Sequence, residues 1–191
     1  MMRTAFALLL SSAVLHATTV IAPTFSGLVR QADVIFDGEV TETQSRAIIE
    51  RGAEKIVTDV TFRVTTVMKG RPRNAIVLQF AGGVVGDRGF KVAGVPTFVR
   101  GERDVIFAVT SKRQISPVVG MMYGRFRSVA DGATGGESVR QFDDTPLRSV
   151  AMIGSTQPSP VFSQTPAMSL SAFEAAIAAE VRRQAGANKR R

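Results

Sequence analysis

Between Ile56 and Lys69 the chain alternates: Val60, Phe62 and Val64 take every second position, and Asp59, Thr61, Arg63 and Thr65 flank them. A helix turns about 100° per residue and would scatter those three apolar side chains, whereas an extended chain puts them all on one face. The period demands a strand with one wet side, and such strands belong to antiparallel sheets. Past Thr65 the apolar phase slips to Val67, which predicts a bulge of the kind that bends strands in small barrels. Gly70 to Asn74 reads as a turn, and Ile76, Leu78 and Phe80 define the next alternating strand.

The neighbouring segments obey the same grammar. Thr24 is a helix N-cap ahead of Phe25, Leu28, Val29 and Ala32, which share one helical face, and the helix should end near Ala32. Val34 to Val40 reads as a first strand. Gly82 to Gly89 is a glycine-rich connection into a short strand, Phe90 to Val92, that ends at Gly94-Val95-Pro96. A turn at Arg100 to Arg103 precedes Val105 to Val109, apolar enough to be central, and Val118 to Tyr123 and Phe126 to Val129 supply the last extended pieces. Short strands separated by turns, with one flanking helix, indicate a mainly β antiparallel barrel or sandwich over residues 18–130.

Past Asp131 the composition shifts, and 131–168 reads as an irregular segment ending in a polar linker, Gly154 to Pro166. Over 169–191 a C-terminal helix is expected, with Ser171 as N-cap, Glu174 completing a capping box, and Leu170, Phe173, Ile177 and Val181 as a narrow apolar stripe. Gly186 should end it, and Lys189-Arg190-Arg191 forms a basic tail.

Residues 1–17 have the form of an export signal: Arg3, an apolar run from Ala5 to Val14 broken only by Ser11 and Ser12, and a cleavage pattern at Leu15-His16-Ala17. The run is too short to cross a hydrocarbon core of about 30 Å, and no later segment is apolar enough to span a membrane. A periplasmic or extracellular product is expected. Cleavage after Ala17 would remove the single histidine, and the chain has no cysteine. Ser-His-Asp, Cys-His, zinc-hydrolase and haem-histidine chemistries would each lose an essential group. No catalytic residue, metal ligand or cofactor is therefore assigned.

Leu28-Val29 with Ala32-Asp33-Val34-Ile35, Thr58 to Val64 with Lys69-Gly70, Gly82-Gly83, Gly94 to Phe98, Gly101-Glu102, Val105 to Phe107 and Tyr123 to Phe126 resemble a secreted bacterial domain of unassigned function. The resemblance spans Phe25 to Val129. Such domains are loosely similar to the OB-like barrel of netrin modules and of tissue inhibitors of metalloproteinases. It implies a small antiparallel OB-like barrel and no active site.

Three features invite chemistry. The glycine-rich stretch lacks the Gly-Lys-Ser/Thr ending of a phosphate loop and leads into a strand rather than a helix, so a hairpin with glycine at left-handed positions is expected. As a surface loop it remains the best place for a binding contact. Asp33, Asp37, Glu39, Asp59, Glu102 and Asp104 are the available acid/base groups, expected mostly as outward strand residues or turn formers paired with Arg63, Arg100 or Arg103. Finally, 24 Lys and Arg stand against 16 Asp and Glu, and removal of the leader leaves 23 of the former. In an exported protein that excess points to anionic envelope material rather than nucleic acid. Arg71, Arg73, Gly82, Gly83, Arg88 and Lys91 are the candidate binding residues, with the basic tail beside them. The function expected is an exported, non-catalytic module, monomeric, that binds an exported protein or an anionic envelope polymer. The alternative is a secreted carboxylate-dependent hydrolase or hydrolase accessory domain.

Overall fold

The computed structural model describes residues 22–111, 114–132, 135–155 and 165–188. The leader at 1–17, most of the polar linker and the tail Lys189 to Arg191 lie outside the described residues.

A short helix, α1 (Phe25–Gln31), opens the fold, capped as its sequence requires: Thr24 Oγ1 accepts from the Gly27 N–H at 3.1 Å. It feeds directly into β1 (Val34–Glu50), which turns at Arg51-Gly52 and returns as β2 (Ala53–Lys69). Both turn residues have positive φ, 52° and 78°, which is the type I′ geometry that matches strand twist. Then follow β3 (Ala75–Ala81), a small hairpin of β4 (Gly83–Val85) and β5 (Arg88–Phe90), β6 (Arg103–Ala108), β7 (Arg125–Ala130), β8 (Glu137–Arg140) and a long helix α2 (Leu170–Asn188).

Six strands form one antiparallel sheet in the order β3-β2-β1-β6-β7-β8. The molecule is the expected small, mainly β antiparallel fold with a helix at each end. The sheet is curved but open, with β3 and β8 as its two edges. Register slips where the alternating pattern predicted, leaving Thr65 and then Met68 without a partner on β1, and a third slip leaves Thr41 unpartnered on β2. Val67 does not inherit the apolar phase: it is 46% exposed, while Met68 packs against the helical-face core.

The sheet is buried on both sides. On one face, α1 and α2 cover Ile35, Val105, Phe107, Phe126 and Val139, with Leu28, Phe173 and Ile177 supplied by the helices. On the other, curvature folds β2 and β3 over Phe36 and Ile106, enclosing Phe62, Leu78, Phe80 and Phe98. Neighbouring residues of β6 serve opposite faces, so Val105 to Ala108 is wholly buried and reads as an unbroken apolar run. Burying a side chain such as Phe173 or Phe62 stabilises the fold by roughly 1.5–3 kcal/mol.

Several local expectations are corrected. β1 continues ten residues past Val40, because Glu42 to Glu50 pairs with β2 although its sequence shows little apolar alternation. β5 stops at Phe90, so Lys91 and Val92 are outside it. Val119 to Gly124 is a turn rather than a strand, with left-handed backbone at Gly120 and Met121. The segment after Asp131 contains β8 and buries Leu147 and Ile153 in the helical-face core, so it is fastened rather than irregular throughout. Ser169, not Ser171, caps α2: its Oγ accepts from the Ala172 N–H at 3.2 Å. The helix runs through Gly186 to Asn188, and its stripe docks on the sheet. Among the described residues no helix is long and apolar enough to cross a membrane.

Candidate binding groove around Phe90

β6 pairs only with Val34 to Glu39, so the outer half of the β1–β2 hairpin extends past it as an arm, flanked by β3 along Val57 to Arg63 and two-stranded only toward its tip. The β4–β5 hairpin folds back against this arm. Between them is a cavity of about 260 Å³. One wall is hydroxylic, with Thr43 and Ser45 from β1 and Thr58 from β2; the other is apolar, with Phe80, Phe90 and Phe98, and Lys91 stands at the rim. Thr58 shares a face with Val60 and Phe62, so the cavity is the open end of the second core, where hydroxyls replace methyls.

The polar wall is ordered by one chain of hydrogen bonds. Thr58 Oγ1 donates to the Gly82 carbonyl at 2.7 Å. Its proton is thereby committed, so in the 2.9 Å contact with Ser45 the donor is Ser45. What both hydroxyls still offer a ligand is lone pairs, while Lys91 supplies a charged donor.

Gly82 and Gly83 are explained by this packing. A Cβ at Gly82 would lie 2.6 Å from the Phe90 carbonyl oxygen, and one at Gly83 would lie 2.3 Å from Thr58 Oγ1 and 2.4 Å from Ser45 Oγ. Glycine is needed for backbone to approach a hydroxyl pair that closely, and both residues have positive φ. The stretch is the hairpin its sequence implied, turning at Gly86-Asp87.

A second charged network holds the apolar wall. Arg125 lies with its guanidinium carbon 4.2 Å from the Phe98 ring centroid and donates to the Thr97 carbonyl at 2.6 Å. It is fixed in turn by Asp104 and Glu102, both at 2.8 Å. Burial pushes the Asp104 carboxyl above the usual range, against the opposing pull of Arg125.

Two further cavities adjoin the first. One of about 460 Å³ is lined by Ile56, Ala81, Phe90, Val92 and Ile115, with Glu54 and Arg88 at its edge; another of about 380 Å³ lies between Ile48, Arg51, Phe80, Phe90 and Gln114. All three share Ala81 and Phe90, so they adjoin one another around a phenyl ring that is 55% exposed and together make the candidate groove.

The structure brings together four of the six candidate residues: Gly82, Gly83 and Lys91 line the first cavity and Arg88 the second. Arg88 is bound by both oxygens of Glu54, at 2.9 Å each, so much of its charge is already answered. Arg71 and Arg73 are elsewhere: they sit in the turn before β3, whose seven residues separate them from Gly82 by about 20 Å. Ser45, Thr58, Phe80, Phe98 and Ile115 were not legible as groove residues. The one available signal was Thr58, a polar residue continuing the apolar face of Val60 and Phe62.

The acidic residues divide by burial. Glu39 pairs with Arg63, and Asp59 with Arg46 at 2.9 Å and Gln79 at 2.8 Å, as outward strand residues should. Asp33 accepts the N–H groups of Thr110 and Ser111, both at 2.9 Å. Asp37 and Asp104, however, are wholly buried rather than outward. Asp37 binds Arg103, which also reaches Glu137, and Glu174 approaches this cluster from α2 with its Oε1 buried and without a hydrogen-bond partner. Among the described residues no group of three or more His, Cys, Asp or Glu could hold a metal ion.

Comparison of the chain with protein-family models, with curated proteins and with solved structures gives no match.

Proposed function

We propose that this is an exported, non-catalytic binding module whose groove over Phe90 takes an extended anionic polymer of the cell envelope, an acidic polysaccharide. The observation that carries the reading is the adjacency of three cavities around Ala81 and the exposed Phe90. A sugar chain offers apolar ring faces, hydroxyl donors and repeated carboxylates. Phe90 suits the first, the lone pairs of Ser45 and Thr58 the second, and Lys91 with Arg51 the third. Export is supported by the leader, and the absence of His and Cys after Ala17 favours binding over catalysis. The resemblance to a secreted domain without an active site points the same way.

Calorimetric titration with polygalacturonate, and with neutral dextran as control, tests it. Salt-sensitive binding of the acidic polymer is expected, weakened at least tenfold by Phe90→Ala or Lys91→Gln and unchanged by Arg71→Gln with Arg73→Gln. Equal binding of dextran, or indifference to both groove substitutions, would overturn it.

The hydrolase reading has one observation in its favour: Asp37, Glu137 and Glu174 converge on Arg103, and burial raises the Glu174 carboxyl as a general acid requires. The cluster lies beneath α2, away from the groove. Hydrolysis of any glycan that is abolished by Glu174→Gln would favour this second reading.

A further inference from the structure

At the opposite end of β2 from the groove, a cleft of about 650 Å³ separates the end of α1 from the last turns of α2. Ser26, Val29, Arg30, Lys69, Val181 and Arg183 line it. Its floor is aliphatic and its rim is cationic. Lys69 Nζ donates to the Val29 carbonyl at 2.7 Å and reaches the Arg30 carbonyl at 3.5 Å, which answers the partial negative charge at the end of α1. An ammonium has three N–H groups, so one remains for a ligand.

Arg71 and Arg73 follow Lys69 in the turn to β3 and are exposed. Arg30, Arg71 and Arg73 form no ion pair among the described residues. The acidic groups of this end are engaged: Asp33 by the N–H groups of Thr110 and Ser111, Glu180 by Arg183 at 2.5 Å. Cationic side chains therefore outnumber carboxylates here, and among the described residues Arg30, Arg71 and Arg73 have no carboxylate paired with them.

We propose that this pole docks on an anionic lipid bilayer. Lipid phosphates meet Arg30, Arg71, Arg73 and the spare N–H of Lys69, while Val181, Ala185 and Ala187 on the last turns of α2 receive the glycerol and first methylenes of the chains. The lining distinguishes this occupant from a sugar polymer or a single-stranded nucleic acid. Both of those favour aromatic faces, and no aromatic among the described residues lines the cleft. Aliphatic walls beneath a cationic rim match the boundary between headgroup and hydrocarbon.

A cation held near an anionic leaflet strengthens binding by about fivefold, so three together contribute roughly a hundredfold. Cosedimentation of the full chain with vesicles of phosphatidylglycerol in phosphatidylcholine, and of phosphatidylcholine alone, is the test. The apolar run near the start of the chain can bind both, so the readout is the difference between them. The wild type should show a large, salt-sensitive preference for the anionic vesicles. Arg30→Gln with Arg71→Gln and Arg73→Gln, checked for an unchanged melting temperature, should lose roughly a hundredfold of it. Phe90→Ala should leave it intact, which separates this docking from the groove. No preference for anionic vesicles, an unaffected triple variant, or displacement by millimolar inorganic phosphate would each overturn the proposal, the last by identifying a site for the free anion.

Discussion

Thr58 donates its hydroxyl proton to the carbonyl of Gly82 across 2.7 Å, so one of the hydroxyls that line the groove also pins the hairpin that carries its phenyl ring. Backbone contact, hydroxyl chain and ligand wall are thus one assembly.

Gly83→Ala should break it. The added methyl would meet Thr58 Oγ1 at 2.3 Å and Ser45 Oγ at 2.4 Å, at a φ of 135° that an L side chain rarely adopts. A loss of about 1–3 kcal/mol is expected in denaturant unfolding. Gly86→Ala is the control: nothing lies within 4 Å of its Cβ, so only the strain of its φ of 61° is felt and the loss should be smaller.

Arg125→Leu should cost about 3–5 kcal/mol, because it strands the buried Asp104 carboxylate without its partner. The variant should recover stability on acidification, since protonating Asp104 removes the uncompensated charge. Melting temperature against pH checks both statements, and loss of polymer binding would show that Phe98 depends on the guanidinium above it.

Glu174→Gln should stabilise the protein near neutral pH. Burial, and then the Asp37 charge, push the Glu174 carboxyl above its ordinary value, so the folded chain holds this proton more tightly than the unfolded chain. Stability then falls as pH rises between the ordinary and raised values, and the glutamine removes that penalty. The gain would appear as a rise in melting temperature at neutral pH. The gain should vanish once the pH falls below both values, and a variant less stable than wild type at neutral pH would refute the account.

Removal of residues 169–191 should unfold the molecule rather than free a docking helix. Phe173 and Ile177 are wholly buried in the same cluster as Leu28, Phe107 and Phe126, with Phe173 and Phe126 ring centroids 4.8 Å apart. Phe173→Ala alone should cost about 3–5 kcal/mol. Circular dichroism of the truncated chain decides the matter: a native spectrum would exclude this helix from the core.

Period and punctuation carried most of the architecture. The alternation in β2 and β3, the Thr24 cap, the unbroken apolar run of β6 and the stripe of α2 each follow from residues adjacent in sequence, and each is found in place. The outer half of β1 was illegible because Glu42 to Glu50 is held by pairing with β2, and no local pattern reports a partner found across a turn. β8 was missed for the same reason: its four residues, Glu137–Arg140, are too few to show a period. The groove was half legible. Glycines and a lysine mark a loop worth watching, but only tertiary structure sets Ser45 beside Thr58 or brings Ile115 near Phe90.

The projecting arm has a mechanical meaning. β1 and β2 are clamped at their base between two hydrophobic cores, are flanked by β3 along Val57 to Arg63, and run on from there to the tip as a ribbon joined by its own ladder. Amides near Ile35 and Phe36 should exchange with solvent only on global unfolding, whereas those toward Ile49 can open by fraying from the Arg51-Gly52 tip. Whatever settles over Phe90 must therefore quiet a lever, and the stiffening it imposes would be carried down β1 into the centre of the sheet.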